Sequence, residues 1–135
     1  MRKALTLLIA VLCANLASAQ NKPMACQDDE AAGLNWANGE WRVTHFQLKK
    51  VILVMSGDTL TKESVANAMG SSPQDVRCNT EDYDKMISCV DRSGRTLVFM
   101  PKALKGGVSS VFGATQDSKE KRDTVSVRAF TCQPY

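Results

Sequence analysis

Four cysteines, one histidine and a cluster of acids are the residues of this chain with the most chemistry to offer. Cys26, Cys78, Cys89 and Cys132 stand in the body of the sequence, and Cys13 lies in an apolar N-terminal run. Four thiols can hold zinc or pair as two disulfides, and the compartment decides which. His45 is the single imidazole, so a hydrolytic reading has to pass through it. Glu81, Asp82 and Asp84 fall between Cys78 and Cys89, where three carboxylates could bind calcium or work as an acid–base pair.

The N-terminus answers the cysteine question. Arg2 and Lys3 lead into an apolar run from Ala4 to Ala14, and Ala17-Ser18-Ala19 precedes Gln20. A basic start, a short apolar centre and an A-x-A site describe a secretory signal peptide over residues 1–19. The run is too short to span a bilayer and no second one follows, so no transmembrane anchor is expected. Leu12 occupies the place where a lipoprotein signal has a small residue, so Cys13 reads as part of the leader. The mature chain, 20–135, is expected to be periplasmic or secreted. It carries no Asn-x-Ser/Thr sequon, which favours a bacterial export product.

In that setting four cysteines imply two disulfides, with three connectivities to choose among. Cys78 and Cys89 flank a polar loop between two β-like segments, where a cross-strand or loop-closing bridge is geometrically easy. Cys26 with Cys132 would then tie the ends of the domain together. Closing so long a loop stabilises by about 4–5 kcal/mol in the chain-entropy model. The preferred pairs are Cys78–Cys89 and Cys26–Cys132.

With the thiols consumed, one histidine makes no metal site, and no metal or cofactor is expected. The acids at 81–84 lack calcium-loop spacing and read as a solvated loop. Gly106-Gly107 lacks the strand–GxGxxG–helix setting of a nucleotide cradle and reads as a flexible stretch or a turn. No Gly-x-Ser-x-Gly elbow accompanies His45, which next to Trp41 and Phe46 reads as a packed or rim residue, so no catalytic residue is assigned. Arg2 and Lys3 leave with the leader, taking the formal charge from +3 to +1. Lys119-Glu120-Lys121-Arg122-Asp123 mixes signs, and nucleic acid is excluded as a partner for want of clustered cations.

These residues need a scaffold, and the pattern predicts one rich in strands. Residues 20–32 are polar and read as an N-terminal arm pinned by Cys26. Asn38-Gly39 suits a two-residue type I′ turn, which puts Ala37 opposite Glu40 and Trp36 opposite Trp41. Such an indole pair stabilises by roughly 0.5–1.5 kcal/mol beyond burial. Alternation through Trp41, Val43 and His45 slips at Phe46, predicting a bulge, bend or strand end. Val51–Met55 is apolar on both parities, as in a strand covered on both faces. Thr61–Met69 followed by Gly70 predicts a short helix burying Val65 and Met69. Lys85–Val90 and Arg95–Met100 form a second hairpin about Asp91–Gly94. Near the end Val125, Val127 and Ala129 alternate with polar residues, predicting a half-buried strand.

The fold class expected is mainly β: one small domain, an open barrel or curved antiparallel sheet of five to six strands, with a short helix at about 61–69. Trp36, Trp41, Val43, Val51–Met55, Ile87, Leu97, Phe99, Val125 and Val127 are its expected core. The Trp36…Trp41…Phe46 opening, the Cys89…Gly94…Phe99 segment and the closing Arg122-Asp123-Thr124-Val125…Phe130-Thr131-Cys132 are similar to uncharacterised small exported bacterial proteins. That resemblance covers most of the mature chain. It implies export and two bridges, and it lends no catalytic residue.

Function is then expected to be binding, with a protein or envelope component as partner, such as an envelope-directed hydrolase. The alternatives are a small hydrolase using His45, or an envelope structural or accessory subunit. Tyr83, at the tip of the bridged loop, is a pre-ordered aromatic anchor. Val108, Val111 and Phe112, in a glycine-punctuated stretch, are the other candidate contacts.

Overall fold

A computed structural model describes residues 21–111 and 124–135, so the leader and Phe112 lie outside the described residues. It is mainly β, in one small domain. Strand β1 (Lys22–Ala37) turns at Asn38-Gly39 into β2 (Glu40–His45), and β3 (Lys50–Ser56) and β4 (Thr59–Leu60) follow. Helix α1 (Lys62–Met69) and a 3-10 turn at Pro73–Asp75 lead to β5 (Arg77–Thr80), β6 (Ile87–Val90), β7 (Thr96–Met100) and β8 (Lys105–Ser110). The last strand is β9 (Thr124–Pro134).

All pairings are antiparallel, in the order β4-β3-β1-β9-β8-β7-β6-β5, with β2 also on β1. The sheet is nearly closed into a barrel: the Thr80 hydroxyl at the end of β5 donates to the Asp58 carbonyl beside β4 at 3.1 Å. The strand count exceeds the five to six expected because the short β4 and the glycine-bearing β8 are strands, while the N-terminal arm lengthens a strand already expected. The N-terminal arm is the first half of β1, paired with β3 on one side and β9 on the other. Gly106-Gly107 lies within β8 rather than in a turn.

The place of Gly106 within β8 has a packing cause. Phe99, Gly106 and Phe130 form one cross-strand row on β7, β8 and β9. The two rings stack across the glycine, with centroids 6.3 Å apart and planes at 16°. A Cβ on Gly106 would stand 2.5 Å from the Phe130 ring and 2.5 Å from the Val98 carbonyl oxygen. Glycine is therefore the residue that lets both rings lie flat over β8, a known way to bury a strand glycine.

Those rings join Leu53, Val65, Val76, Ile87 and Leu97 in the buried interior. Helix α1 begins and ends as the sequence suggests. The Thr61 side chain caps the Ser64 N–H, and Gly70 closes the helix in the left-handed region at φ 69°. Ser64 Oγ in turn accepts the Val54 N–H at 3.1 Å, tying the helix start to β3. Strand β3 departs from expectation in being covered on one face: Leu53 is buried and Ile52 exposed. Only the two-residue β4 lies beyond it.

Both predicted bridges are present, and both are cross-strand. Cys26 faces Cys132 between β1 and β9, and Cys78 faces Cys89 between β5 and β6. No helix among the described residues is long and apolar enough to cross a membrane.

Candidate binding surface

The surface begins with one irregularity. Strand β1 shifts register against β9 between Asp28 and Glu30. Before the shift, Met24, Cys26 and Asp28 point into the barrel and are buried. One inserted residue changes the parity, because side chains alternate with period two. Ala31, opposite Arg128, is now the buried residue. Ala32, Leu34 and Trp36 point outward.

Strand β9 keeps its own parity throughout. Phe130 and Cys132 are inward and buried, so Arg128 and Ser126 are inward too, while Val125, Val127 and Ala129 are outward. Strand β2 follows β1: Trp36 faces Trp41, Leu34 faces Val43, and Ala32 faces His45. In this half of the sheet, the β2–β1–β9 ribbon, the apolar side is the outside. Leu34 and Trp41 are exposed, Val43 is 78% exposed and Val127 57%. The two indoles meet edge to face at 5.2 Å between centroids. Leu34, Trp41, Val43 and Val127 thus lie together on the outer face of the ribbon.

This corrects the expected core. Trp41, Val43 and Val127 belong to the surface, and the buried parity of β9 is the one carrying Arg128, Phe130 and Cys132. The physical reason is that the ribbon turns polar residues inward, Ser126 and Arg128 among them, onto a cleft of mixed lining in which Phe46, Met69 and Val108 also take part. The cleft, of about 450 Å³, takes Lys49, Arg95 and Ser110 into its lining as well. Its arginines are already engaged. Arg128 Nη1 lies 3.2 Å from the Asp28 carboxylate, and its Nη2 donates to the Ala68 carbonyl. Arg95 Nη1 donates to the Gly70 carbonyl and stands 3.7 Å from the Asp91 carboxylate. Both arginines thus satisfy carbonyls at the C-terminal end of α1, where cations are favoured. The guanidinium groups of this cleft are thus committed to holding α1 against the sheet.

Asp28 also holds the chain where it passes from β2 to β3 along the same edge of β1. Its N–H donates to the Lys49 carbonyl at 2.9 Å, and its carboxylate accepts the Lys49 N–H at 2.9 Å. The slip expected near His45 is accordingly the end of β2, with the compensating bulge on the partner strand.

The residues singled out in the sequence are not brought together. Tyr83 is 80% exposed in the loop between β5 and β6, at the edge of the sheet opposite to β2. Two of its acidic neighbours have partners: Asp84 pairs with Lys102 at 3.2 Å, and Glu81 accepts the Asn79 amide at 2.7 Å. Val108 is a core residue and drops out as a contact. Val111 is 55% exposed and follows Ser110, whose partner is Ser126, so it leaves the sheet at the ribbon end. Among the described residues there is no cluster of three potential metal-binding side chains. His45 is an exposed rim residue on the ribbon, with Nδ1 3.4 Å from the Glu30 carboxylate. No known family, curated protein or solved structure matches the chain.

Proposed function

We propose that this chain is an exported binding domain, and that it meets a protein partner of the cell envelope through the outward face of the β2–β1–β9 ribbon. One observation carries the reading: the ribbon is inside out, with Leu34, Trp41, Val43 and Val127 turned to the outside of a sheet that turns Ser126 and Arg128 inward. Burying such residues in a partner stabilises a complex at roughly 25 cal/mol per Å² of apolar surface before association costs. The indole pair provides the kind of rigid aromatic anchor on which interface energy concentrates. The two bridges support the exported setting, since disulfides persist in oxidising compartments.

A photo-crosslinking residue placed at Val43, and separately at Tyr83, tests the surface in an exporting host. The proposal expects one discrete envelope-protein adduct from position 43, abolished by Val127→Asp with folding intact. An adduct from position 83 alone would move the contact to the bridged loop. In the same preparation, a mature mass beginning at Gln20 is expected; retention of the leader removes export from the reading.

A further inference from the structure

We infer that two copies of this chain pair edge to edge through β2, joining their ribbons into one continuous sheet with both apolar faces on the same side. The inference concerns the edge of the ribbon, and it stands whether or not the face then takes another protein.

The turn sets the phase of the free edge. Asn38 and Gly39 have φ of 54° and 87°, a two-residue loop of the primed kind, so Ala37 and Glu40 form the hydrogen-bonded pair that closes it. Hydrogen-bonded and non-hydrogen-bonded pairs alternate from there. The main-chain groups of Glu40, Arg42 and Thr44 therefore face β1. Those of Trp41, Val43 and His45 face away, and among the described residues β2 has no other strand beside it. The strand contains no proline and no bulge, two of the devices that keep edge strands apart, and its two charged residues, Glu40 and Arg42, offset each other.

The edge is complementary to itself in one register. With Val43 opposite Val43 of a second copy about a two-fold axis normal to the sheet, Trp41 faces His45 and Arg42 faces Thr44. Every outward N–H and C=O of Trp41, Val43 and His45 then finds a partner. Centring the axis on Arg42 instead sets two guanidinium groups directly opposite each other, which is unfavourable, and leaves His45 unmatched within the strand. In the Val43 register each Arg42 keeps its own Glu40 as counter-charge. Edge pairing buries far less area than face packing, so the dimer falls in the weak, transient class.

The test is sedimentation equilibrium of the exported, oxidised protein, together with Val43→Pro. The Val43 N–H points away from β1, so proline there spares the hairpin and removes the central donor of the dimer. The wild type is expected to show a monomer–dimer equilibrium in the micromolar to sub-millimolar range, and Val43→Pro to be monomeric at an unchanged melting temperature. Amide exchange supplies the second readout, and it needs no variant. Val43 should gain protection with protein concentration, while Arg42 and Thr44 are protected at all concentrations. A wild type that stays monomeric at sub-millimolar concentration overturns the inference, as does a dimer that survives Val43→Pro. Should Val43→Pro unfold the hairpin, Val43→Lys takes its place, placing two ammonium groups in opposition. It should weaken association at least ~10-fold, and unchanged association overturns the inference. Failure here leaves the crosslinking from position 43 to an envelope protein untouched, so the two readings fall separately.

Discussion

Arg128 and Asp28 form an ion pair across the first and last strands, 100 residues apart in sequence, with side chains only 11% and 1% exposed. The pair sits at the bulge that inverts β1. The Asp28 carboxylate also receives the Lys49 N–H, and Arg128 reaches the Ala68 carbonyl, so one contact gathers β1, β9, the β2–β3 connection and the end of α1.

Removing either partner should therefore be expensive. Asp28→Ala or Arg128→Ala leaves a buried charge without its counter-ion, a change that costs about 3–5 kcal/mol. The double variant should lose clearly less than the sum, because the orphaned charge is gone. Urea denaturation of the four proteins gives the coupling, and additive losses would show that the two side chains act independently.

The bridges should contribute unequally. The chain-entropy model assigns about 4–5 kcal/mol to a loop as long as the one closed by Cys26–Cys132, and about 3 kcal/mol to the short one closed by Cys78–Cys89. Paired serine variants, Cys26→Ser/Cys132→Ser and Cys78→Ser/Cys89→Ser, should follow that order in urea midpoint. The reverse order would mean that the hairpin carrying Tyr83 depends on its bridge for native packing.

Gly106→Ala should destabilise by about 1–3 kcal/mol, because the new methyl group cannot coexist with the Phe130 ring and the Val98 carbonyl as they stand. Phe130→Leu in the same chain frees space over β8 and should recover part of that loss. Equal stability of Gly106→Ala and the parent would contradict the ring–glycine–ring row.

Outward residues should behave as surface. His45→Ala and Val43→Ser are each expected to shift stability by no more than about 0.5 kcal/mol, whereas Leu97→Ala should cost about 2–5 kcal/mol. A large loss from Val43→Ser in dilute, monomeric protein would place that side chain back in the core.

Much of this architecture was legible in the chain. Asn38-Gly39 dictated the indole register, Thr61 to Gly70 marked a helix with its glycine C-cap, and the cysteine spacing anticipated the two bridges. What escaped was the direction in which strands face. Period-two alternation reveals that Val125 and Val127 share a side, but not that the side is outward. Phe130 and Cys132, on the other parity, held the needed signal, and Arg128 between Val127 and Ala129 obscured it by looking like a solvent residue. The bulge at Asp29 is likewise silent in sequence, since a buried aspartate and its neighbours read as a polar arm. Gly106 misled for a related reason: a glycine kept for two rings on adjacent strands looks, in one dimension, like a turn.

The placement of Cys26 and Cys132 has a mechanical consequence. Tension applied to the chain outside these two residues passes through their sulfurs and leaves the intervening stretch, a sequence separation of 106, slack. Pulled from both sides, the oxidised domain is a nearly inextensible link that transmits force without unravelling. After reduction, the same pull would enter both strands at one end and unzip β1 from β9 pair by pair.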